Sequence, residues 1–294
     1  MLRNQLHSSE INTEAFMLTS LTLLCTLFLA DSPVVQSKCV QAVPPSANGK
    51  WKRTPERTQA VLLIHGYQFQ LSDETVPTPQ FRPWQRAEGA LVKELGRSVD
   101  VFLFAYGQNA DIDGIVKESK LRDNIEQIRK LGYSEIILVG HSAGGLIARH
   151  LIEDHPDINV ARVVQVCCPN TGSPYAKVKG LKSQQAFIDC LSEEGRAQCL
   201  KGRSTKQIPA RIQFLCVVAR GDGVSGTDGV VPCISQWPED LRKQGIPAVG
   251  LLGGHRDMMN EAKLAVSLGR LICAPQPRWN AERIEQARKE ILGK

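Results

Sequence analysis

Six short apolar runs punctuate the chain from residue 60 onward: 60–64 (AVLLI), 99–106 (VDVFLFAY), 135–139 (EIILV), 162–167 (RVVQVC), 213–219 (QFLCVVA) and 248–252 (AVGLL). Each is continuously apolar rather than alternating, the pattern of strands buried on both faces of a parallel sheet. Between them lie segments with helical spacing. These are 83–96, with a proline near its start and a glycine at its end; 115–131, with Val116, Leu121, Ile125 and Ile128 on one face; and 143–154. Two more helical patterns follow Met258, the last of them, 281–292, amphipathic and charged. Strand and helix in alternation predict a doubly wound α/β sheet, mostly parallel, of about six strands with flanking helices.

Three segments stand apart from this rhythm. Residues 15–30 (AFMLTSLTLLCTLFLA) carry no charge, and their sixteen positions suit the hydrophobic region of an export signal better than a spanning helix. Residues 1–32 are therefore expected to be a signal peptide or N-terminal anchor, and the protein to be secreted or held in the cell envelope. Residues 33–59, rich in Pro, Ser, Lys and Arg, have no sustained apolar period and read as a linker into a folded domain over 60–294. A polar, lysine-rich break at 173–209 reads as a small cap over the sheet.

Charge and cysteine content narrow the field of partners. The formal net charge of +6 is spread along the chain rather than concentrated, so no nucleic-acid partner is expected. Cys25 lies within the apolar run, and the eight remaining cysteines form an even set, which suits disulfides in an oxidising compartment. Cys190 and Cys199, separated by polar helix-prone chain, are the expected pair. With no paired C-x-x-C and no H-E-x-x-H, no zinc site is expected.

The strongest chemical signal is Gly140-His141-Ser142-Ala143-Gly144-Gly145, directly after one apolar run and directly before a helical pattern. A G-x-S-x-G turn from strand to helix is too tight for side chains beside the serine, so Gly140 and Gly144 leave its Oγ standing above the sheet. Ser142 is the candidate nucleophile. Such a hydroxyl needs a base, and the base needs an orienting acid. His150 sits about 12 Å along the following helix and cannot reach; His65 is expected to brace the loop after the first strand. His255, in LLGGHRDMM just past the last strand, is the candidate base. The acid is expected beyond the strand at 213–219, because open α/β sheets build their sites at the carboxyl ends of strands. Asp228, beside the apolar step Val230-Val231-Pro232, is favoured, with Asp222 in a glycine-rich turn as the alternative. The backbone N–H groups of Ala143 and Tyr67 are the candidate oxyanion donors.

Taken together, LLIHGY, ILVGHSAGGLIAR, CCPNTGSP, TDGVVP and GGHRDM resemble the lipase and esterase branch of the α/β-hydrolase superfamily, especially its bacterial triacylglycerol-lipase-like members, over residues 60–272. The resemblance implies Ser142, Asp228 and His255 as nucleophile, acid and base, the amides of Tyr67 and Ala143 as oxyanion hole, and no cofactor. It implies a small-molecule or lipid ester as substrate, with transient contact to a lipid surface. Thioester, amide or acyl-transfer chemistry would use the same residues, and a non-catalytic binding role is the rival from another class. Loops 68–82 and 106–109 are expected to wall the substrate pocket.

Overall fold

All six apolar runs become strands, and a seventh strand precedes them. The computed structural model describes residues 34–46, 48–68, 78–177 and 182–293, which belong to one compact unit running from Val34 to Lys294. The expected export segment, 1–32, lies outside the described residues. The strands are β1 (Ser37–Val43), β2 (Gln59–Ile64), β3 (Asp100–Tyr106), β4 (Glu135–His141), β5 (Arg162–Val166), β6 (Gln213–Ala219) and β7 (Ala248–Leu251). They form one sheet in the order β1-β3-β2-β4-β5-β6-β7, parallel throughout except that β1 runs antiparallel to β3.

The strand β1 corrects the reading of residues 33–59 as a linker and raises the strand number from about six to seven. Its sequence, SKCVQAV, hides it, because an edge strand packs on one side only and tolerates Ser, Lys and Gln. Gln41 is buried there because its amide closes on the backbone of Lys52, donating to the carbonyl at 2.6 Å and accepting from the N–H at 2.8 Å. The segment that follows is tied down by Asp100, fully buried at the start of β3. Its carboxylate accepts from the Thr54 N–H and hydroxyl at 2.8 and 2.7 Å, from Arg57 at 3.0 Å and from the Tyr133 hydroxyl at 2.5 Å.

Alternate side chains of the central strands enter different layers, as the period of two requires. Leu62 and Ile64 pack into one layer with Phe102, Leu146 and Leu151; Val61 and Leu63 pack into the other with Leu91, Val139 and Leu268. The helices lie on these two faces. The 83–96 pattern is interrupted: a short turn at Pro83–Gln85 gives way at Gly89 to α1 (Ala90–Leu95). The 115–131 pattern divides into α2 (Ile112–Glu118) and α3 (Leu121–Lys130), with Lys120 left-handed between them at φ 46°. Asp111 caps α2 by accepting from Gly114 N–H at 2.7 Å, which starts that helix before the apolar spacing does. The helix α4 (Ala143–Asp154) matches its expected span.

Residues 173–209 carry two short helices, α5 (Gln185–Asp189) and α6 (Glu193–Gly202). Arginines fasten the end of α6 to α4 and its middle to the segment after β5. Arg203 pairs with Glu153 and Asp154, both at 3.0 Å, and the fully buried Arg196 donates to the Asn170 carbonyl at 3.0 Å. Cys190 and Cys199 are free thiols, as are all eight described cysteines, so the expected disulfide is absent from the fold. Cys190 ends α5 and donates to Phe187 O at 3.1 Å, whereas α6 turns Cys199 toward Arg196 and His150. The chain closes with α7 (Cys233–Gln236), α8 (Glu239–Lys243), α9 (Asp257–Asn260), α10 (Ala262–Cys273) and α11 (Ala281–Leu292). Among the described residues no helix is long and apolar enough to cross a membrane.

Candidate active site

Ser142 occupies the turn between β4 and α4 with φ 54° and ψ −127°, a conformation that L-residues rarely adopt and that surrounding structure must enforce. The enforcement is steric. A Cβ on Gly140 would stand 2.4 Å from Gly144 O, and one on Gly144 would stand 2.4 Å from Ile64 O. Ser142 N–H donates to Val166 O at 2.8 Å, which locks the turn to β5.

The loop after β2 passes close beside the serine, since a Cβ on Gly66 would lie 2.6 Å from Ser142 Cβ. His65, stacked on Tyr106 at 4.4 Å, is wholly buried and braces that loop. Its Nδ1 donates to Gly66 O at 2.7 Å, and Gln108 Nε2 donates to the same oxygen at 3.1 Å. A trans peptide holds C=O and N–H on opposite sides, so pinning the Gly66 carbonyl also fixes where the Tyr67 N–H points. Ala143 is the first residue of α4, and its N–H has no carbonyl within the helix to serve.

Asp228 and His255 meet beyond the carboxyl ends of β6 and β7. His255 Nδ1 donates to Asp228 Oδ2 at 2.7 Å, and His255 N–H donates to Asp228 O at 2.9 Å. The carboxylate is fully buried and also accepts from the N–H groups of Val230 and Val231, at 2.8 and 2.6 Å, which hold it in place. Asp222, by contrast, is solvent-facing and spends its carboxylate on Val224 N–H and Ser225 N–H, both at 2.9 Å.

Several positioning residues escaped the sequence. Gln236 on α7 donates to Asp228 Oδ2 at 3.3 Å and to Val231 O at 3.0 Å while accepting from Ala219 N–H at 2.8 Å. His141 lies against His255 with ring centres 4.8 Å apart and donates from Nε2 to His255 O at 2.9 Å. Burial pushes the His141 imidazole down to about 3, so it stays neutral. Asn170, from the segment after β5, donates to Gln165 Oε1 at 2.8 Å and to Gln236 O at 3.1 Å. His141 and Asn170 lie within the GHSAGG and CCPNTGSP segments, but Gln236 carries no motif signal, and only tertiary proximity shows what these side chains touch.

Ser142 and His255 open onto a cavity of about 540 Å³. Trp84, Ile188, Leu191, Val230, Val231 and Met259 give it an apolar side, while Arg82, Arg256 and Asn260 give it a polar one. The cap at 173–209 thus forms one wall. Loop 106–109 does not: Gln108 instead braces the loop after β2, accepting from Gln68 N–H at 3.0 Å. Of loop 68–82, Arg82 reaches the cavity, and residues 69–77 lie outside the described residues. A second cluster, Asp113, His150 and Cys199, has potential metal ligands within 4.8 Å of one another. Arg196 Nη1 stands 3.2 Å from His150 Nε2 and 3.3 Å from Cys199 Sγ, so a guanidinium already fills the place a cation would need.

No family model and no curated protein matches the sequence. Solved structures do match in shape. The mature lipase BlEst2 of Bacillus licheniformis superposes with a TM-score of 0.57 at 13% identity, over 79% of this chain and 95% of its own. The phospholipase PlaB of Legionella pneumophila superposes with a TM-score of 0.55 at 15% identity, over 80% of this chain and 62% of its own. The chain has the α/β-hydrolase fold. In that fold, the strand order places the Ser142 turn at the centre of the sheet and the Asp228–His255 pair toward one edge.

Proposed function

We propose that the protein is a serine hydrolase that cleaves carboxylic esters through an acyl-enzyme on Ser142. The observation that carries this reading is the constrained Ser142 turn opening on the same cavity as a histidine held at 2.7 Å by a buried aspartate. His255 takes the Ser142 hydroxyl proton as Oγ attacks the ester carbonyl; the tetrahedral oxyanion is met by the N–H groups of Tyr67 and Ala143. His255 then gives that proton to the departing alcohol. Water, deprotonated by the same imidazole, attacks the acyl-enzyme, and the imidazolium returns that proton to Ser142 Oγ as the acid is freed. Asp228 keeps the His255 proton on Nδ1, so that Nε2 is the basic nitrogen.

The apolar wall of the cavity supports an acyl chain as the group held there, and the similarity in shape to a lipase and a phospholipase supports esters of lipids as the substrate class. The test is labelling by a fluorophosphonate, beside hydrolysis of p-nitrophenyl esters from acetate to palmitate. Ser142→Ala is expected to lose the label and to cut kcat by about a thousandfold or more. An unlabelled, inactive but folded natural chain would overturn the reading.

A further inference from the structure

The lining of the cavity includes two guanidiniums, the half-buried Arg82 and the exposed Arg256, together with the candidate nucleophile and base. Among the described residues neither makes an ion pair, and neither guanidinium donates a hydrogen bond. Asp257, beside Arg256 in sequence, accepts from Gly254 N–H at 2.8 Å and makes no ion pair with it. Several buried arginines of this protein are ion-paired, Arg57 with Asp100, Arg149 with Glu153, Arg203 with Glu153 and Asp154. Arg82, half-buried, has no such partner among the described residues. Burial and the nearby charge of Arg256 together push it down, as expected where one cation lies near another.

Holding two like charges at the rim of an apolar cavity costs free energy, and an anion bound between them returns it. Guanidiniums present forked donors that match the oxygens of a phosphate or carboxylate. In the same cavity, Trp84, Leu191 and Met259 offer an acyl chain apolar surface. We propose that Arg82 and Arg256 form an anion-binding subsite, so that the substrate of this cleft is an ester carrying a phosphate or carboxylate close to its acyl bond. The substrate assignment rests on the ester-hydrolase reading; the subsite itself does not.

The test is therefore binding, measured calorimetrically on the full chain carrying Ser142→Ala, with octyl phosphate, octanoate and the neutral octyl glucoside, all below their micellar concentrations. Octyl phosphate or octanoate is expected to bind about tenfold tighter than octyl glucoside, and the tighter of the two names the anionic group. Arg82→Gln and Arg256→Gln are each expected to weaken the anion by about five- to tenfold, so that its advantage over the glucoside shrinks. Added salt should weaken the anion and spare the glucoside in the unaltered arginine background, a readout independent of how the arginine variants fold. Equal binding of all three ligands, or an anion preference that ignores salt, would overturn the subsite. Fluorophosphonate labelling of the natural chain is run alongside. Labelling without anion preference sinks the subsite alone; anion preference without labelling sinks the hydrolase reading and leaves the subsite standing.

Discussion

Asp222 and Asp228 stand six positions apart, each beside a glycine, and their environments differ. Asp222 is held down to about 2 by the backbone N–H groups of Ser225 and Val224, and does no more than shape its own turn. Asp228 is buried against His255. Asp228→Asn is expected to lower kcat by about 10⁴-fold, because the amide favours the wrong imidazole tautomer. Asp222→Asn should leave ester hydrolysis near the natural rate, and comparable losses in the two variants would contradict the assignment. Gly66 gives a sharper test of packing beside the nucleophile. A methyl there would stand 2.6 Å from Ser142 Cβ and 2.8 Å from His141 O, so backbone has to move. Gly66→Ala should abolish fluorophosphonate labelling while circular dichroism still reports the sheet. At this scale the sequence was legible where a motif fixes geometry, as at Ser142, and silent where a neutral side chain such as Gln236 acquires its task from a neighbour.

Among elements, the instructive cases are β1 and the helix pairs. Continuous apolar runs announced the inner strands because both of their faces are buried. The edge strand β1 has half the burial and so half the signal. Its service is to cover β3, whose outer backbone would otherwise be an open template for another chain. A chain starting at residue 48 is expected to aggregate where one starting at residue 34 stays monodisperse, as light scattering would show. Helix spacing likewise predicted where apolar residues face the core but not where the chain breaks, because Gly89 and Lys120 act through backbone shape rather than hydrophobicity. The segment after β1 hangs on Asp100. Burial alone would raise that carboxyl, but the hydrogen bonds from Tyr133, Thr54 and Arg57 outweigh it and hold it down. Replacing Asp100 by Ala leaves the Tyr133 and Thr54 donors and the Arg57 charge without their acceptor, and is expected to cost about 3–5 kcal/mol in urea unfolding.

For the molecule as a whole, buried imidazoles set the acid limit. Burial pushes His65 from 6.5 to about 4 and His141 from 6.5 to about 3. In the unfolded chain both titrate near 6.5, so below that pH the unfolded state binds protons that the native state refuses. The stability they contribute is thus complete above about pH 6.5 and declines toward pH 4, by about 1.4 kcal/mol per pH unit for each ring. Urea midpoints should fall between pH 7 and pH 5, and identical midpoints would show that the two rings are accessible to protons in the native state. The α/β architecture itself was legible because every crossover helix carries its own apolar face. The cap was less so, since its anchors to α4 are arginines and acids distant in sequence.

The wide separation of the paired groups also governs when they can act. Ser142 follows β4, while Asp228 and His255 lie beyond β6 and β7, and His255 stands 113 positions after Ser142. A chain emerging from the ribosome therefore displays its hydroxyl long before anything can take the proton. On the proposed mechanism it stays an inert alcohol until His255 has been made and folded against Asp228.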